Sequence, residues 1–292
     1  MALTGMLTVI EKEREFDYTD RDFARIRQLI HEHAGISLSD KKRDMVYSRI
    51  ARRLRVHRLE RFADYLALLE RDHASEWEQF VNALTTNLTS FFREPHHFPV
   101  LAELARKRPQ GVTVWCAAAS TGEEPYSIAM TLADVYGTSA AAAVRIIASD
   151  LDTQVLARAR AGIYPLDRVE RLPATQLRRH FQRGRGNNDG LARVRPELRR
   201  MIEFSQINLL GPKWPVSGPL DAIFCRNVMI YFDKPTQRRI LERFLPMLAP
   251  HGLLFAGHSE NFHNAHDLFR MRGKTIYEPV RLQGRYQHAQ GL

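Results

Sequence analysis

The sequence predicts an α/β protein with a small all-helical N-terminal domain and a doubly wound α/β domain that carries an inserted antiparallel β-subdomain. From Phe16 to about Asn87, apolar residues recur at helical spacing. Further along, short apolar runs that suit buried strands alternate with helical stretches, as a parallel sheet requires. The predicted limits are a frayed start at 1–15, the helical domain at 16–87, the α/β domain at 88–282 with its insertion at 165–206, and a loose tail at 283–292.

The composition restricts the function. At 292 residues and 44% hydrophobic residues, the chain can build two domains with a real core. Its formal net charge of +10 favours an acidic partner, such as nucleic acid, an anionic membrane or an acidic protein surface. Both cysteines, Cys116 and Cys225, fall in predicted buried strands, which suits a reducing cytoplasm. We find no signal peptide, membrane span or metal-ligand spacing, so a cytoplasmic protein without a metal is expected.

The helical domain begins with a helix capped near Tyr18–Asp20 and ended by Gly35. Three more are predicted at Lys41 to about Leu59, Phe62–Leu69 and Glu76–Leu84.

The helix from Lys41 carries most of the charge of this domain. It has eight Lys or Arg residues and one acid between positions 41 and 58. Val46, Ile50 and Leu54 form its buried stripe. Arg49, Arg52 and Arg53 are expected to leave that stripe and form an outward basic face. Two interpretations stay open at this point: an ordinary solvated face, or a docking surface for an acidic partner.

The stretch VTVWCAAASTGEEPY at 112–126 organises the second domain. It predicts a buried strand over Val112–Ala119, a tight turn of small residues ending at Gly122, and a helix to about Tyr136. In Rossmann-like sheets such a turn is where a nucleotide-like ligand binds. Glu123 and Glu124 would repel a phosphate and attract a cationic ligand, although an ordinary turn between strand and helix is the alternative.

A junction segment, NLTSFFREP at 87–95, precedes this stretch. Asn87, Thr89 and Arg93 would line a cleft where two domains meet, a common place for ligands. The alternative is that its aromatic residues pack the domains together and Arg93 is a surface charge. A helix over His96–Lys107 then leads into the central strand.

Polar residues follow several later strands. Asp150 follows the strand Val144–Ala148, at the position where doubly wound folds bind ribose hydroxyls. Capping of the next helix is the alternative role for Asp150, but Asp152 is better placed for it. The remaining predictions are a helix Ala174–Phe181, a turn cluster Gly184–Gly190, short inserted strands Leu191–Arg195 and Met201–Ser205, a buried strand Leu220–Cys225, a helix from Asp233 to Leu248, a strand Gly252–Ala256 and an antiparallel strand Thr275–Pro279.

The strand ends therefore gather one set of polar groups: Gly122, Glu123, Glu124, Asp150, Asn208, Arg226 and Asn227. An acid for ribose, a glutamate for an ammonium group and amides for an adenine edge suit a nucleoside with a cationic tail. S-adenosylmethionine has all of these parts and a positive sulfonium. NAD is the alternative, but its pyrophosphate needs a less acidic turn. The residues thus favour a methyltransferase.

Six segments are similar to those of the chemotaxis receptor methyltransferases, the CheR family. They are NLTSFFREPHHFP, VWCAAASTGEEPYSIAM, ASDLD, INLL, FCRNVMIYFD and GHSENF, in this order. The resemblance as a whole covers roughly residues 16–280. The resemblance implies an S-adenosylmethionine-dependent enzyme that forms methyl esters on glutamates in the cytoplasmic helical region of chemoreceptors.

The resemblance also implies roles for individual residues. Asn87, Thr89 and Arg93 would line the cofactor cleft, Glu124 with Glu123 would hold the methionine end, and Asp150 would hold the ribose. The remaining assignments are Asn208, Leu209, Arg226 and Asn227 around the adenosine, and Arg93 and Tyr231 nearest the transferred methyl group. The insertion resembles a β-subdomain that in some members grips a receptor C-terminal peptide, with the turn from Gly184 to Gly190 setting its shape.

Two other functions remain as alternatives to receptor methylation. The charge would suit a nucleic-acid methyltransferase, but RNVMIYF stands where an Asp/Asn-Pro-Pro-aromatic loop would be expected. A non-catalytic S-adenosylmethionine-binding regulatory module is the second, and the presence of Arg93 and Tyr231 disfavours it. The expected enzyme is a monomer without nucleic-acid partners or membrane insertion, and Arg49, Arg52 and Arg53 would face the receptor.

Overall fold

The structure, a computed structural model, describes residues 14–71 and 75–280. The predicted loose tail at 283–292 and nearly all of the predicted frayed start lie outside these residues. The chain forms two compact units: one extends to Glu32 and includes Leu38–Leu84, and the other comprises His33–Ser37 and the chain from Thr85 onward. No helix in the described residues is long and apolar enough to cross a membrane. The predicted domain limits stay predictions.

The first unit is helical, as predicted. Its helices are α1 (Asp20–Ala34), α2 (Arg43–His57), α3 (Phe62–Arg71) and α4 (Ser75–Leu84). The predicted apolar stripe of α2 is confirmed, because Val46, Ile50 and Leu54 are all fully buried. Both α3 and α4 pack against α2.

The predicted basic face of α2 is wrong for two of its three arginines. Arg53 donates from Nε and Nη2 to the two carboxylate oxygens of Glu76 on α4, at 2.9 and 2.6 Å. Arg49 donates to the carbonyl of Ala83 at 3.1 Å. Residues four apart on a helix share a face, and here that face borders α4 rather than solvent. Of the three predicted arginines, Arg52 is the one that is exposed.

Glu76 explains why Arg53 points inward. Its side chain is buried, and it also accepts hydrogen bonds from His57 and Tyr65, both at 2.7 Å. Burial opposes its ionisation, but the hydrogen bonds from Arg53, Tyr65 and His57 outweigh it and lower the pKa of Glu76. A buried carboxylate needs such partners, so Arg53 stabilises the helical unit.

The second unit is built on a seven-stranded mixed sheet with the order β6-β2-β1-β7-β8-β10-β9. Its strands are β1 (Val112–Cys116), β2 (Val144–Asp150), β6 (Ile202–Gln206), β7 (Leu220–Cys225), β8 (Leu248–Ala256), β9 (Phe269–Gly273) and β10 (Ile276–Pro279). The first five are parallel to one another, whereas β10 runs antiparallel to both β8 and β9. The α/β class and the antiparallel final strand are confirmed.

Side chains alternate between the two faces of this sheet. Val114 and Cys116 of β1 belong to one hydrophobic core, and Trp115 between them belongs to the other. The helices of this unit are α5 (His97–Arg106), α6 (Glu123–Tyr136), α7 (Ala140–Ala143), α8 (Thr153–Ala161), α9 (Leu166–Val169), α10 (Ala174–His180), α11 (Pro196–Arg199) and α12 (Lys234–Phe244). The centre of the sheet is therefore buried on both faces, which is why β1 and β7 are nearly continuous apolar runs.

The inserted antiparallel sheet is confirmed, but its composition differs from the prediction. It has the order β3-β5-β4, with β3 (Ile163–Pro165), β4 (Phe181–Arg183) and β5 (Leu191–Val194). The predicted strand Met201–Ser205 instead becomes β6 and pairs in parallel with β2. Short apolar runs look alike in either sheet, so only the tertiary pairing separates them.

The helix predicted from Asp233 to Leu248 is shorter in the structure. Asp233 caps it as expected, with its side chain accepting from Thr236 N. It ends at Phe244, and a 3₁₀ turn at Leu245–Met247 contains Pro246, which removes a helical donor. Leu248 then begins β8.

Candidate functional site

The carboxyl ends of four adjacent parallel strands, β6, β2, β1 and β7, bring the predicted residues to one edge of the sheet. The turn after β1 leads through α6 towards β2 on one side, while β7 lies on the other side of β1. This reversal is the topological switch point at which doubly wound sheets bind ligands.

The turn after β1 is longer than expected, because the strand ends at Cys116 rather than Ala119. Gly122 sits directly before α6 with φ of 100°. A Cβ atom there would lie 2.6 Å from Tyr164 Oη and 2.9 Å from Ala159 Cβ. Glycine is therefore required for close packing as well as for the left-handed backbone.

Asp150 ends β2 beside this turn. Its carboxylate accepts hydrogen bonds from the backbone N–H groups of Ser120 at 2.8 Å and Asp152 at 3.0 Å. Burial raises its pKa to about 6. The Ser120 hydroxyl donates to the carbonyl of Asn87 at 3.2 Å, and the Asn87 amide donates to Asp152 at 2.9 Å. The structure therefore brings Asn87 and Asp150 to the same turn.

Glu123 already has a cationic partner that the sequence analysis missed. Its buried carboxylate lies 2.5 Å from Arg168 Nη2 and accepts from the Thr121 hydroxyl at 2.6 Å. The same Arg168 nitrogen donates to the carbonyl of Thr89 at 2.9 Å. Arg168 thus joins two predicted cleft residues, and only the tertiary structure reveals it, because it lies in the inserted region.

Glu124 faces a different arginine. Arg226 Nη1 lies 2.9 Å from its carboxylate, and the Cys116 thiol donates to it at 3.3 Å. Burial raises the pKa of Glu124, opposed by the charge of Arg226. Arg226 also lies 3.7 Å from Glu94 and donates to the carbonyl of Arg93. These contacts link the end of β7, the turn after β1 and the junction segment.

This cluster is electrostatically suited to a cation. Two carboxylates, Glu94 and Glu124, share the single guanidinium of Arg226. Burial disfavours ionisation of Glu94, but the His258 N–H and the charge of Arg226 prevail and lower its pKa. Among the described residues, Arg226 Nε and Nη1 are buried without an aligned hydrogen-bond acceptor. Arg226 therefore meets the two acids through charge rather than through aligned hydrogen bonds from these two nitrogens, and it balances part of their negative charge.

The other predicted cleft residues make packing and backbone contacts rather than the ion pairs described above. Leu209 is buried, and the Asn208 amide holds the backbone locally, donating to the His33 carbonyl at 3.0 Å and accepting from Leu210 N at 2.9 Å. Tyr231 ends a 3₁₀ turn, Met229–Tyr231, and its side chain is half-buried. Its backbone carbonyl accepts from Ser37 N at 2.8 Å.

The predicted receptor-binding residues belong to two other elements of the chain. Arg49, Arg52 and Arg53 belong to α2, and the turn cluster forms the loop between β4 and β5. The sequence does not predict β4, because Phe181 is expected to end a helix rather than to begin a strand. Gly184 N donates to the Leu191 carbonyl at 2.8 Å, which closes that loop.

One group of side chains near the junction has metal-binding residue types. The ligand atoms of Glu94, His96 and His97 lie within 4.8 Å of one another. The Nε2 atoms of both imidazoles face the Lys274 carbonyl, at 3.1 and 3.2 Å, and Arg226 places a positive charge 3.7 Å from Glu94. The absence of a metal stays a prediction.

Known proteins match this chain over most of its length. Residues 21–85 match the CheR methyltransferase all-alpha domain, and residues 87–278 match the CheR methyltransferase SAM binding domain. The chain is 58% identical to a chemotaxis protein methyltransferase of Klebsiella aerogenes over 260 residues, which cover 89% of each chain. It is 56% identical to that of Salmonella typhimurium over 270 residues, covering 92% of this chain and 93% of the relative.

The relative in Escherichia coli, also named a chemotaxis protein methyltransferase, is 57% identical over 260 residues, covering 89% of this chain and 91% of the relative. The chain therefore belongs to the CheR family of S-adenosylmethionine-dependent methyltransferases.

Proposed function

We propose that this enzyme transfers the methyl group of S-adenosylmethionine to glutamate side-chain carboxylates of chemoreceptors, forming methyl esters. The observation that carries the proposal is the match, over about nine-tenths of the chain, to relatives named chemotaxis protein methyltransferases. The acidic turn after β1 supports it, because a cationic cofactor is favoured there and a pyrophosphate is not.

The cofactor is held by groups from four strand ends. Asp150 would accept from the ribose hydroxyls and Glu124 would bind the ammonium group, while Arg226 balances part of the charge of Glu124. Asn208, Leu209, Arg226 and Asn227 would lie around the adenosine, and Asn87 and Thr89 would line the cofactor cleft. Glu123 acts indirectly, because its ion pair with Arg168 holds the wall at Thr89.

Catalysis rests on positioning. S-adenosylmethionine supplies a methyl group bonded to a positively charged sulfur. A glutamate side chain has a pKa of about 4.3, so the attacking carboxylate is ionised at neutral pH without a general base. Arg93 would orient this carboxylate, and Tyr231 is the residue that the family resemblance assigns nearest the transferred methyl group. Such orientation can supply roughly 7–11 kcal/mol of the barrier reduction.

Transfer of tritium from methyl-labelled S-adenosylmethionine tests the proposal. Receptor-containing membranes, DNA and RNA are offered in parallel, and base is added to release esterified methyl groups as methanol. We expect base-labile label on the receptor alone. Base-stable label on nucleic acid would identify a nucleic-acid methyltransferase, and no transfer with intact cofactor binding would identify a regulatory module.

Receptor docking involves two surfaces in this proposal. Arg52, exposed on α2, contributes positive charge towards the helical region of the receptor. The inserted sheet binds a receptor C-terminal peptide by strand addition, because β4 is an edge strand. The enzyme works as a cytoplasmic monomer.

Titration of the whole enzyme with C-terminal peptides of the organism's own receptors tests the second surface. Saturable binding that is lost when the loop from Gly184 to Gly190 is shortened supports strand addition. Absence of binding to every such peptide would assign the inserted sheet a structural role.

A further inference from the structure

We infer that Glu260, in the segment after β8, is a positioning residue for the cofactor cleft. Its carboxylate holds the loop after β7, which carries Asn227 and Tyr231. The inference rests on the proposed function, because it assumes that this loop lines the cleft. Glu260 lies in GHSENF, a segment that contributes to the family resemblance but contains none of the predicted site residues.

The carboxylate of Glu260 collects backbone donors from two loops. One oxygen accepts from Asn227 N at 3.0 Å and from Gly257 N, and the other accepts from Met229 N at 2.8 Å. The residue is only 5% exposed. A buried acid whose two oxygens both accept from main-chain N–H groups holds the backbone in place and does not serve as a surface charge.

The loop after β7 needs such an anchor. Asn227 has φ of 59°, a left-handed conformation that is uncommon for residues other than glycine. Beyond β7 the backbone leaves the sheet ladder, and its only regular structure before α12 is the 3₁₀ turn Met229–Tyr231. Buried N–H groups must find acceptors, and Glu260 provides them for Asn227 and Met229.

Gly257 brings the two loops into direct contact. A Cβ atom at this position would lie 2.3 Å from Asn227 Nδ2 and 2.9 Å from Asn227 N. Only glycine permits this approach, so the main chain at 257 packs directly against the loop after β7, while Glu260 holds that loop by hydrogen bonds.

The same segment also reaches the junction segment. His258 N donates to Glu94 Oε1 at 3.1 Å, and the Asn227 amide donates to that oxygen at 3.4 Å. Glu94 in turn lies 3.7 Å from Arg226. Residues 257–260 therefore connect two walls of the proposed cleft, and a shift of Glu260 is transmitted to both.

A glutamine would be a poor substitute at 260. Burial raises the pKa of the Glu260 carboxyl, opposed by the backbone N–H groups of Gly257, Asn227, Met229 and Ile230. A glutamine amide has the same shape, but its NH₂ group would face N–H donors where the carboxylate offers an acceptor. Aspartate keeps both acceptors on a side chain one methylene shorter.

The test compares Glu260→Gln and Glu260→Asp with the matched control Asp221→Asn. Asp221 is a buried acid at the opposite end of β7 that accepts from Thr113 N at 2.8 Å. For each protein we would measure urea unfolding, S-adenosylhomocysteine affinity by calorimetry, and kcat and KM in the tritium assay. Binding and rates are measured where every variant is folded.

We expect Glu260→Gln to weaken S-adenosylhomocysteine binding by about tenfold and to lower kcat by about a hundredfold, since small misplacements of reacting groups are costly. Glu260→Asp should recover part of both losses. Asp221→Asn should lower stability while leaving affinity and kcat at wild-type values.

Wild-type affinity and kcat in folded Glu260→Gln would overturn the inference, as would equal losses in Asp221→Asn. If Glu260→Gln does not fold, Gly257→Ala displaces the same loop without touching the carboxylate, and normal affinity in that variant would overturn the inference too. A wild-type protein that fails to bind S-adenosylhomocysteine would instead refute the proposed function.

Discussion

Cofactor affinity should depend on the ionisation of Asp150, and Asp150→Asn should remove that dependence. Burial raises the pKa of this carboxyl from 3.8 to about 6, within a range where pH can be varied without harm to most proteins. The ionised form is the better acceptor for ribose hydroxyls. Protonation below pH 6 should therefore weaken binding, whereas an ordinary aspartate would remain ionised.

The magnitude follows from the ionised fraction. With a pKa of about 6, Asp150 is about nine-tenths ionised at pH 7 and about one-tenth ionised at pH 5. If only the ionised form binds well, the apparent dissociation constant rises about tenfold over this range. At pH 7, Asp150→Asn should weaken binding by between about tenfold and a hundredfold, because a charge-assisted hydrogen bond contributes roughly 1.5–3 kcal/mol.

The raised pKa of Asp150 affects the stability of the free protein in the opposite direction: ionisation favours cofactor binding but disfavours the folded state. The folded state holds the Asp150 proton more tightly than the unfolded chain does. The contribution of this group to the free energy of unfolding is therefore largest below pH 3.8 and is lost as the pH rises through about 6. Ionised Asp150 is thus kept for binding at a cost to the fold.

Calorimetric titration with S-adenosylhomocysteine between pH 5 and pH 7 is the assay. Repeating it at pH 6 in buffers with different ionisation enthalpies counts the protons released on binding, which should approach about half a proton for Asp150. Glu124 and Glu260 also have raised pKa values, so the difference between wild type and Asp150→Asn isolates the contribution of Asp150. Glu203→Gln, an exposed acid on β6, is the control.

Equal pH dependence and proton release in wild type and Asp150→Asn would refute this reasoning. It would mean that Asp150 serves only to hold the Ser120 turn. Loss of binding in Glu203→Gln would show that the effect is general rather than local.

Three further outcomes are expected. Arg93→Ala should lower kcat by at least about tenfold with little change in urea unfolding, and native receptor methylation by this variant would show that Arg93 is a surface charge. Gly122→Ala should lower the free energy of unfolding by about 2 kcal/mol or more, because the added Cβ atom would meet close contacts. Gly137→Ala is the control: Gly137 has φ of 58° but open space around it, so this substitution should cost less. Equal losses of stability in the two variants would contradict the packing argument. Arg52→Glu should raise the apparent Michaelis constant for receptor a few-fold and weaken its salt dependence without changing cofactor affinity, and an unchanged constant would place docking elsewhere.

The structure changes which substitution tests receptor docking. From the sequence, Arg53 looked like an outward charge of α2. Its two hydrogen bonds to buried Glu76 mean that Arg53→Glu would place two carboxylates together and damage the helical unit. A loss of receptor activity in that variant would report instability, whereas Arg52 is exposed and can be changed cleanly.

Local pattern was a good guide where one segment carries its own signal. Helical spacing predicted α2 with its Val46-Ile50-Leu54 stripe, and the acids at 152 and 233 predicted the caps of α8 and α12. The order of buried strands and helices predicted the α/β class. These features depend on residues within a few positions of one another, so the sequence contains them directly.

The partners of charged side chains could not be predicted in this way. Arg168 meets Glu123, Arg226 meets Glu124, and Glu260 meets the N–H groups of Asn227 and Met229. Each pair joins segments far apart in sequence, and charge alone does not say which acid an arginine will meet. These contacts exist only once parallel strands place their carboxyl ends side by side.

By itself, the sequence determined the class of fold, the family motifs and the set of polar residues at the strand ends, because periodicity, capping and turn chemistry are local. The tertiary structure alone decided that Met201–Ser205 joins the main sheet as β6, that Arg53 turns inward to Glu76, and that Glu260 supports the loop after β7. Those outcomes depend on burial, since a buried strand edge or carboxylate must be paired by whatever the fold brings beside it.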